Sequence, residues 1–269
     1  HLHCQIGAAL ENVLPDPSFQ AASLAFHYDQ GLNLQKALHY HHLAAQRASA
    51  VFAWQEAERH YNRTLELLAN LDPDVSRQET ADRYGEVLAE RAEIHYLQGD
   101  LVKRDQDLNA LSDLATRTQN NCLRLRSLMS WTCYLNLDAC YEQAITLAQE
   151  GITLAENLTD LKAQGYLRSQ LGFANYFLGE PQAALQALEE ALRLLPAEDC
   201  ETRRHVTHIL GYVHFHLGNY LLALSYQQQA YRDHQALSDF NGMVWAGLDT
   251  GAIYLQIGRL KDAEQVINE

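Results

Sequence analysis

The chain has 269 residues, of which 34 are acidic and 20 are basic, giving a formal net charge of -14. This charge disfavours binding to nucleic acid and to acidic membranes, because both are polyanions. Hydrophobic residues make up 47% of the chain, which is enough for a packed core, and no apolar segment is long enough to span a bilayer. We therefore expect a soluble protein that binds neither nucleic acid nor membrane. The five widely spaced cysteines, an odd number, favour a reducing, cytoplasmic compartment.

The N-terminal quarter is predicted to be helical. Apolar residues recur every three or four positions over residues 23–30, 34–50 and 54–68, which is the spacing of one face of an α-helix. We interpret residues 21–70 as a three-helix cap of a larger array. The segment from Leu71 to Ser76 contains turn-forming residues around Pro73 and separates this cap from the remainder.

Residues 77–269 contain a repeat of about 40 residues. Small residues recur at spacings of 40, 40, 39 and 40, at Ala92, Thr132, Gly172, Gly211 and Gly251, and another follows the last four after twelve residues, at Ala144, Ala184, Ala223 and Ala263. Glycines predicted to end the first helix of a unit are Gly99, Gly179, Gly218 and Gly258. Asp100 and Asn219 are the predicted N-caps of the following helices. The pattern predicts an all-α fold of antiparallel helix pairs that approach closely, with the last repeat truncated.

The unit around Gly172 carries a family resemblance. Its small and apolar positions are Leu171, Gly172, Gly179, Ala184, Leu188, Ala191 and Pro196. This pattern resembles the tetratricopeptide repeat (TPR), whose usual period is 34 residues. The resemblance implies a right-handed superhelical solenoid with slightly extended helices. Two positions depart from it, because Arg104 stands where the second helix of the repeat has Ala, and Ala139 replaces the turn glycine.

The N-terminus carries a second resemblance, which rests on three short segments. They are His1-Leu2-His3 with Ile6-Gly7 and Ala9-Leu10-Glu11, then Leu24-Ala25 with His27-Tyr28, then Lys36-Ala37-Leu38 with Tyr40. These segments are similar to the junction of bacterial STAND-type signalling ATPases, where a nucleotide-binding module ends and a helical-repeat sensor begins. The resemblance implies that residues 1–20 end an upstream module of the same polypeptide. It also implies that this chain is a sensor or scaffold arm.

Enzyme and cofactor motifs are missing from the sequence. The chain contains no G-x-x-x-x-G-K-[ST] loop, no H-E-x-x-H helix and no G-x-S-x-G elbow. We therefore predict that it is not an enzyme and needs no cofactor. Neighbouring carboxylates such as Asp105 and Asp107 are interpreted as parts of a solvated helix face.

Histidines and cysteines do not predict a metal site. His205 and His208 lie three positions apart on one helical face, but His216 lies about 12 Å further along the helix and cannot complete their ligand set. The five cysteines include no C-x-x-C pair, which argues against a disulfide framework and a zinc site. They are predicted to occupy buried helical positions, as small thiols commonly do.

The TPR resemblance implies a binding groove, because in such arrays the first helix of each pair lines the inner surface. The side chains predicted to line it are Tyr166, Ser169, Phe173, Phe177, His205, His208, Tyr212, His216 and Trp245. Aromatic side chains provide a large contact area at low entropic cost, as binding hot spots require. Under the alternative interpretation some rings, especially Tyr96, Tyr176 and Phe215, simply pack between repeats.

The predicted partner is a protein or a mostly apolar peptide, with a small-molecule inducer as an alternative. The Lys and Asn residues that clamp a C-terminal carboxylate in some TPR domains are absent here. Because Arg126 is nearly the only inward-facing basic residue, a strongly anionic ligand is not expected. A second hypothesis is a structural or oligomerisation scaffold whose groove is occupied by its own chain.

Overall fold

A computed structural model of the chain describes residues 2–13, 15–75, 77–237 and 239–268. These residues contain helices and no strand, and none of the helices is long and apolar enough to cross a membrane. A short 3-10 helix, Pro17–Gln20, accompanies fourteen α-helices: α1 (Leu2–Val13), α2 (Ala21–Gln30), α3 (Leu34–Ala50), α4 (Trp54–Leu71), α5 (Gln78–Leu97), α6 (Leu101–Thr118), α7 (Asn121–Leu137), α8 (Tyr141–Asn157), α9 (Leu161–Phe177), α10 (Pro181–Leu194), α11 (Cys200–His216), α12 (Tyr220–Ala236), α13 (Phe240–Gln256) and α14 (Leu260–Asn268). The predicted all-α fold is confirmed.

The chain divides into two compact units, residues 1–127 and 128–269. In the first unit, α2 packs on α3, α3 on α4, α4 on α5 and α5 on α6. Its cores are built from Ala, Leu and Tyr side chains, among which Leu24, Ala37, Ala57 and Leu111 are fully buried. The three predicted N-terminal helices agree with α2 to α4, except that α4 continues to Leu71. Ser76, the last residue of the predicted turn, lies outside the described residues.

The first unit also buries a polar cluster between α4, α5 and α6. Asp107 is 3% exposed and accepts hydrogen bonds from the Arg91 guanidinium, with Nε at 3.0 Å from its Oδ2. The Nδ1 atom of His95 lies 3.0 Å from the same oxygen. On the other side of the ring, His95 Nε2 lies 3.3 Å from Glu58 Oε1, which also pairs with Lys103 at 3.1 Å. The prediction that Asp107 lies on a solvated helix face is wrong. Its carboxylate is buried, and the partners Arg91 and His95 offset the cost of removing its charge from water.

The second unit contains successive helix pairs. Helix α8 packs on α9, α9 on α10, α10 on α11, α11 on α12, α12 on α13 and α13 on α14. The predicted small residues mediate these contacts, and Ala144, Ala184 and Ala223 are fully buried. A Cβ atom built on Gly172 would lie 2.5 Å from Cγ of Leu188 and 3.2 Å from the carbonyl oxygen of Ala184. Helices α9 and α10 therefore approach closely because position 172 has no side chain.

Local sequence fixes where these helices begin and end. The Asp100 carboxylate accepts from the backbone N–H of Lys103 at 3.1 Å, which confirms the predicted N-cap. Asn219 occupies the predicted N-cap position of α12, but its side chain makes no capping hydrogen bond. The predicted turn glycines adopt positive φ angles, as at Gly179 with φ of 82°. This left-handed conformation ends the first helix of each pair at little steric cost.

Ala139 takes over the role of the turn glycine between α7 and α8 and is held at φ of 59°. A left-handed conformation costs a residue with a Cβ about 1–2 kcal/mol. We expect Ala139→Gly to raise the free energy of unfolding by about 1 kcal/mol, less the entropy that a glycine adds to the unfolded chain. Urea denaturation followed by circular dichroism tests this, with Ala183→Gly on exposed α10 as a control expected to destabilise. A lower midpoint for Ala139→Gly would contradict the expectation.

The cysteines differ from their predicted positions. Cys122, Cys140 and Cys200 are exposed, whereas Cys4 and Cys133 are half-buried. The prediction of buried thiols is wrong for the three exposed cysteines because Cys122 and Cys200 lie in the first turns of α7 and α11, and Cys140 directly precedes α8. Helix ends of this kind project into solvent, so the spacing of apolar residues along the helix does not indicate whether a cysteine there is buried.

Candidate binding groove

Aromatic rings from α8, α9 and α11 contact one another in a continuous series within the second unit. The rings of this aromatic ladder belong to Tyr141, Phe173, Tyr176, Phe177, His205, His208, Tyr212 and His216. Phe177 stacks on Tyr141 with ring centroids 5.3 Å apart and contacts Phe173 at 4.6 Å. Phe173 in turn stacks on His205 at 5.9 Å. The ladder thus joins successive helix pairs through side chains.

A second set of contacts extends the aromatic ladder along α11. Tyr176 stacks on Tyr212 at 5.9 Å, and Tyr212 stacks on His208 at 5.0 Å. The Tyr176 hydroxyl and Nδ1 of His216 are 3.0 Å apart, within hydrogen-bonding distance. Offset stacked and tilted arrangements of this kind are favourable for aromatic rings. Several rings remain open to solvent, and Phe177 is 51% exposed.

A cavity of about 640 Å³ adjoins the aromatic ladder. Residues of α7 and α9 on its walls include Met129, Cys133, Asn136, Leu137, Lys162, Tyr166, Ser169, Gln170 and Phe173, and the rest of the lining is Asp199, Glu201, Thr202, Arg204, His205, His208, His234 and Asp239. Apolar and aromatic side chains thus meet a set of charged groups in one space. A volume of this size lies within the range of pockets that enclose small molecules or peptide side chains.

Ion pairs and hydrogen bonds organise the charged part of the cavity. The Asp239 carboxylate lies 2.8 Å from Nδ1 of His234 and 3.8 Å from the Arg204 guanidinium. The Lys162 ammonium lies 3.7 Å from Asp199. Asp239 also caps α13 by accepting from the backbone N–H of Gly242 at 3.0 Å, and this bond together with His234 and Arg204 holds its pKa below the ordinary value. Asp239 is therefore ionised near neutral pH.

The crowded walls shift the ionisation of two predicted groove residues. Burial raises the pKa of the Tyr166 hydroxyl well above its ordinary value, and the Cys133 thiol and the negative charge of Glu201 act in the same direction. His205 is exposed at its outer side, but desolvation by neighbouring protein atoms lowers its pKa, with further contributions from the charges of His208 and Arg204. Tyr166 and His205 are consequently neutral near pH 7 and present uncharged rings.

The structure brings most, but not all, of the predicted groove residues together. Tyr166, Ser169, Phe173, His205 and His208 line the cavity, while Phe177, Tyr212 and His216 belong to the aromatic ladder beside it. Ser169 is buried, and its hydroxyl donates to the backbone carbonyl of Tyr166 at 2.6 Å. Trp245 is 60% exposed on α13, and within the described part of the chain no aromatic ring contacts it. Tyr176, predicted as an alternative to pack between repeats, is a member of the ladder.

Sequence reasoning missed the polar side of the cavity. Arg204 directly precedes the predicted inward position His205, so the repeat register did not assign it to the groove. His234 and Asp239 lie at the end of α12 and before α13, outside the first helices from which the register was built. One sequence signal for this polar side was available. Asp239 precedes Phe240 as a typical N-cap of α13, and a capping carboxylate at this position also lies close to the end of α12.

Comparisons with known proteins identify the fold. No known sequence family and no curated protein matches the chain. Among solved structures it is similar to BtubC (BKLC) from P. vanneervenii, with a TM-score of 0.65 and 16% identity, covering 80% of this chain and 89% of that one. It is also similar to a Rap protein complexed with Competence and Sporulation Factor, with a TM-score of 0.63 and 13% identity, covering 99% and 89%.

A third similar structure is a Signal Transduction ATPase with Numerous Domains (STAND) protein with a tetratricopeptide repeat sensor, from Pyrococcus horikoshii. Its TM-score is 0.64 and its identity 14%, and the match covers 98% of this chain but 40% of the longer protein. These similarities show the fold of the chain, which is a TPR-like solenoid of helix pairs, as the TPR resemblance implied.

Proposed function

We propose that the aromatic ladder and its adjoining cavity form the ligand site of a non-catalytic module that binds a protein or peptide. One observation carries the proposal: rings from three helices are continuous with a cavity of about 640 Å³, so a single ligand segment could contact both. Exposed aromatic surface next to a concavity is the usual composition of a binding hot spot. A small-molecule inducer is the alternative ligand for the same space.

We further propose that this module serves as the sensor or scaffold arm of a signalling regulator. The N-terminal resemblance to STAND-type ATPases supports this role, as does the structural similarity to a STAND protein that carries a TPR sensor. The similar Rap structure holds Competence and Sporulation Factor, which is consistent with a ligand-responsive TPR array. In this proposal an ATPase module precedes the chain in the same polypeptide, and ligand binding to the cavity is reported to it.

A variant of the aromatic ladder tests the proposal. We expect Phe173→Ala/Tyr212→Ala to remain folded, because both side chains are only half-buried, and to lose affinity for the captured partner by about tenfold or more. The measurement is affinity capture from the source cell's lysate with each form of the chain, followed by mass spectrometry of the bound proteins and small molecules. Circular dichroism confirms that each form is helical.

The matched control removes two rings of α12 outside the ladder, through Tyr226→Ala/Tyr231→Ala. Both of these residues are also half-buried, and Tyr226 stacks on His214 at 5.4 Å away from the cavity. Ligands lost with the ladder variant but retained by the control would support the proposed site. Identical captured sets for all three forms would contradict it and favour the scaffold hypothesis.

A further inference from the structure

The charges that line the cavity are unevenly compensated. Its walls carry three carboxylates, Asp199, Glu201 and Asp239, against the two basic groups of Lys162 and Arg204. Lys162 pairs with Asp199 and Arg204 with Asp239. Among the residues that the structure describes, Glu201 has no ion-pair partner. After these two ion pairs are formed, the negative charge of Glu201 remains uncompensated by the described residues at the cavity.

Unused hydrogen-bond acceptors are present in the same walls. His234 is 7% exposed, and its Nδ1 lies 2.8 Å from Asp239, whose ionised carboxylate can only accept. In the neutral form of the ring the proton is therefore on Nδ1, which leaves Nε2 as an acceptor. No group in the described part of the chain donates to that Nε2 atom. A buried acceptor without a donor costs free energy that a ligand can recover.

Two more side chains on the cavity walls share this property. Asn136 is 4% exposed and donates through Nδ2 to the carbonyl oxygen and Oε1 of Gln170, at 3.0 and 2.9 Å, while its Oδ1 has no donor among the described groups. Asp199 caps α11 through Oδ1, which accepts from the backbone N–H of Thr202 at 3.3 Å. Its Oδ2 has the Lys162 ammonium at 3.7 Å but no hydrogen bond from a described group.

We propose that the cavity accepts a basic group of a peptide ligand, either a Lys or Arg side chain or a free amino terminus. An ammonium or guanidinium carries several donors and no acceptor, which complements the free acceptors of Asn136, Asp199 and His234. Glu201 supplies the counter-charge, and the ring faces of Tyr166 and Phe173 favour a cation over a neutral amide. The net charge of -14 attracts cationic ligands over longer distances. The inference rests on the proposed function, because it names the ligand chemistry of the same site.

Four fluorescent peptide pools test this inference with the full chain. Three pools are acetylated and amidated hexapeptides of the same apolar composition, with Arg, Gln or Glu fixed at one central position. The fourth has Gln at the centre and a free amino terminus. We expect the Arg pool to bind about tenfold more tightly than the Gln pool and the Glu pool to bind most weakly. Tight binding of the fourth pool would assign the basic group to the amino terminus instead of a side chain.

A charge variant and a matched control complete the experiment. We expect Glu201→Gln to remove most of the preference for the basic pool, so that the basic pool and the Gln pool bind this variant with nearly equal affinity. Glu142→Gln is the control, since Glu142 is likewise exposed in the first turn of a helix but lies outside the cavity lining. Equal binding of the Gln pool, the Arg pool and the pool with a free amino terminus would overturn the inference. Tightest binding of the Glu pool, or an unchanged preference in Glu201→Gln, would also overturn it.

The Phe173→Ala/Tyr212→Ala variant separates this inference from the proposed function. If all pools bind the wild-type chain alike and all lose affinity in that variant, the cavity binds peptides but does not select a basic group. If no pool binds the wild-type chain, or the variant binds every pool as well as the wild type does, the proposed function and this inference both fail.

Discussion

Replacing Asp107 by Ala is expected to lower the free energy of unfolding by about 3–5 kcal/mol, the usual cost of removing one partner from a buried ion pair. Asp107 is the acceptor at which Arg91 and His95 converge in the first unit, and it is 3% exposed. Without its carboxylate, the Arg91 guanidinium would keep a hydrogen bond to Asn62 at 2.6 Å but lose its charged partner. His95 would retain Glu58 on one side only.

Urea denaturation followed by circular dichroism measures this loss, and Asp113→Ala is the control on the same helix. Asp113 is exposed, and no described residue pairs with it, so its removal should change the free energy of unfolding by no more than about 0.5 kcal/mol. A midpoint for Asp107→Ala equal to that of the control would show that the buried cluster contributes nothing to stability.

The contribution of Asp107 should depend on pH. Burial opposes ionisation of this carboxyl, but the close contact with His95 and the hydrogen bonds from Arg91 outweigh burial and hold its pKa below the ordinary value. A group whose pKa is lower in the folded state stabilises the fold above its unfolded pKa, which is near 4 for Asp. That contribution is lost as the pH falls through the folded pKa. The stability difference between wild type and Asp107→Ala should therefore be largest near neutral pH and shrink in acid.

The fold could be predicted from the sequence because its determinants are local and repeated. Gly179 ends a helix through its own backbone conformation, and Ala184 permits close approach through its own small size. Such effects recur every 40 residues and reinforce one another, so the period indicated both the helix pairs and their stacking. Ala139, which replaces the turn glycine of the repeat, does not abolish the turn. The backbone adopts a positive φ at this position despite the Cβ atom.

The candidate site could be predicted only in part, because its polar side depends on tertiary contacts. The register placed Phe173 and His205 on one face of their helices, and they do stack on each other. It could not indicate that His234 would meet Asp239 across a turn, or that Arg204 would join them. The same limit applies to Asp107, whose partners Arg91 and His95 come from another helix. Charged residues in helical patterns are usually solvated, and only the fold shows which are buried.

Replacing Gly172 by Val is expected to lower the free energy of unfolding by about 3 kcal/mol, the upper end of the usual cost of overpacking a core. The new Cβ atom would lie 2.5 Å from Cγ and 2.8 Å from Cδ2 of Leu188, which is itself fully buried. The backbone carbonyl of Ala184 lies 3.2 Å away on the same side. Because Leu188 is fully buried and the Ala184 contact is with the backbone, we expect α9 and α10 to separate.

Gly247→Val is the matched control for this substitution. Gly247 also lies inside the first helix of a pair, but nothing lies within 4 Å of the Cβ atom that a substitution would add. Since Val and Gly differ little in helix propensity, the control should change the free energy of unfolding by about 0.5 kcal/mol at most. Equal effects at both positions would mean that glycine acts at position 172 through the helix backbone alone. A large loss at Gly172 alone would show that the spacing of the helix pairs depends on the missing side chain.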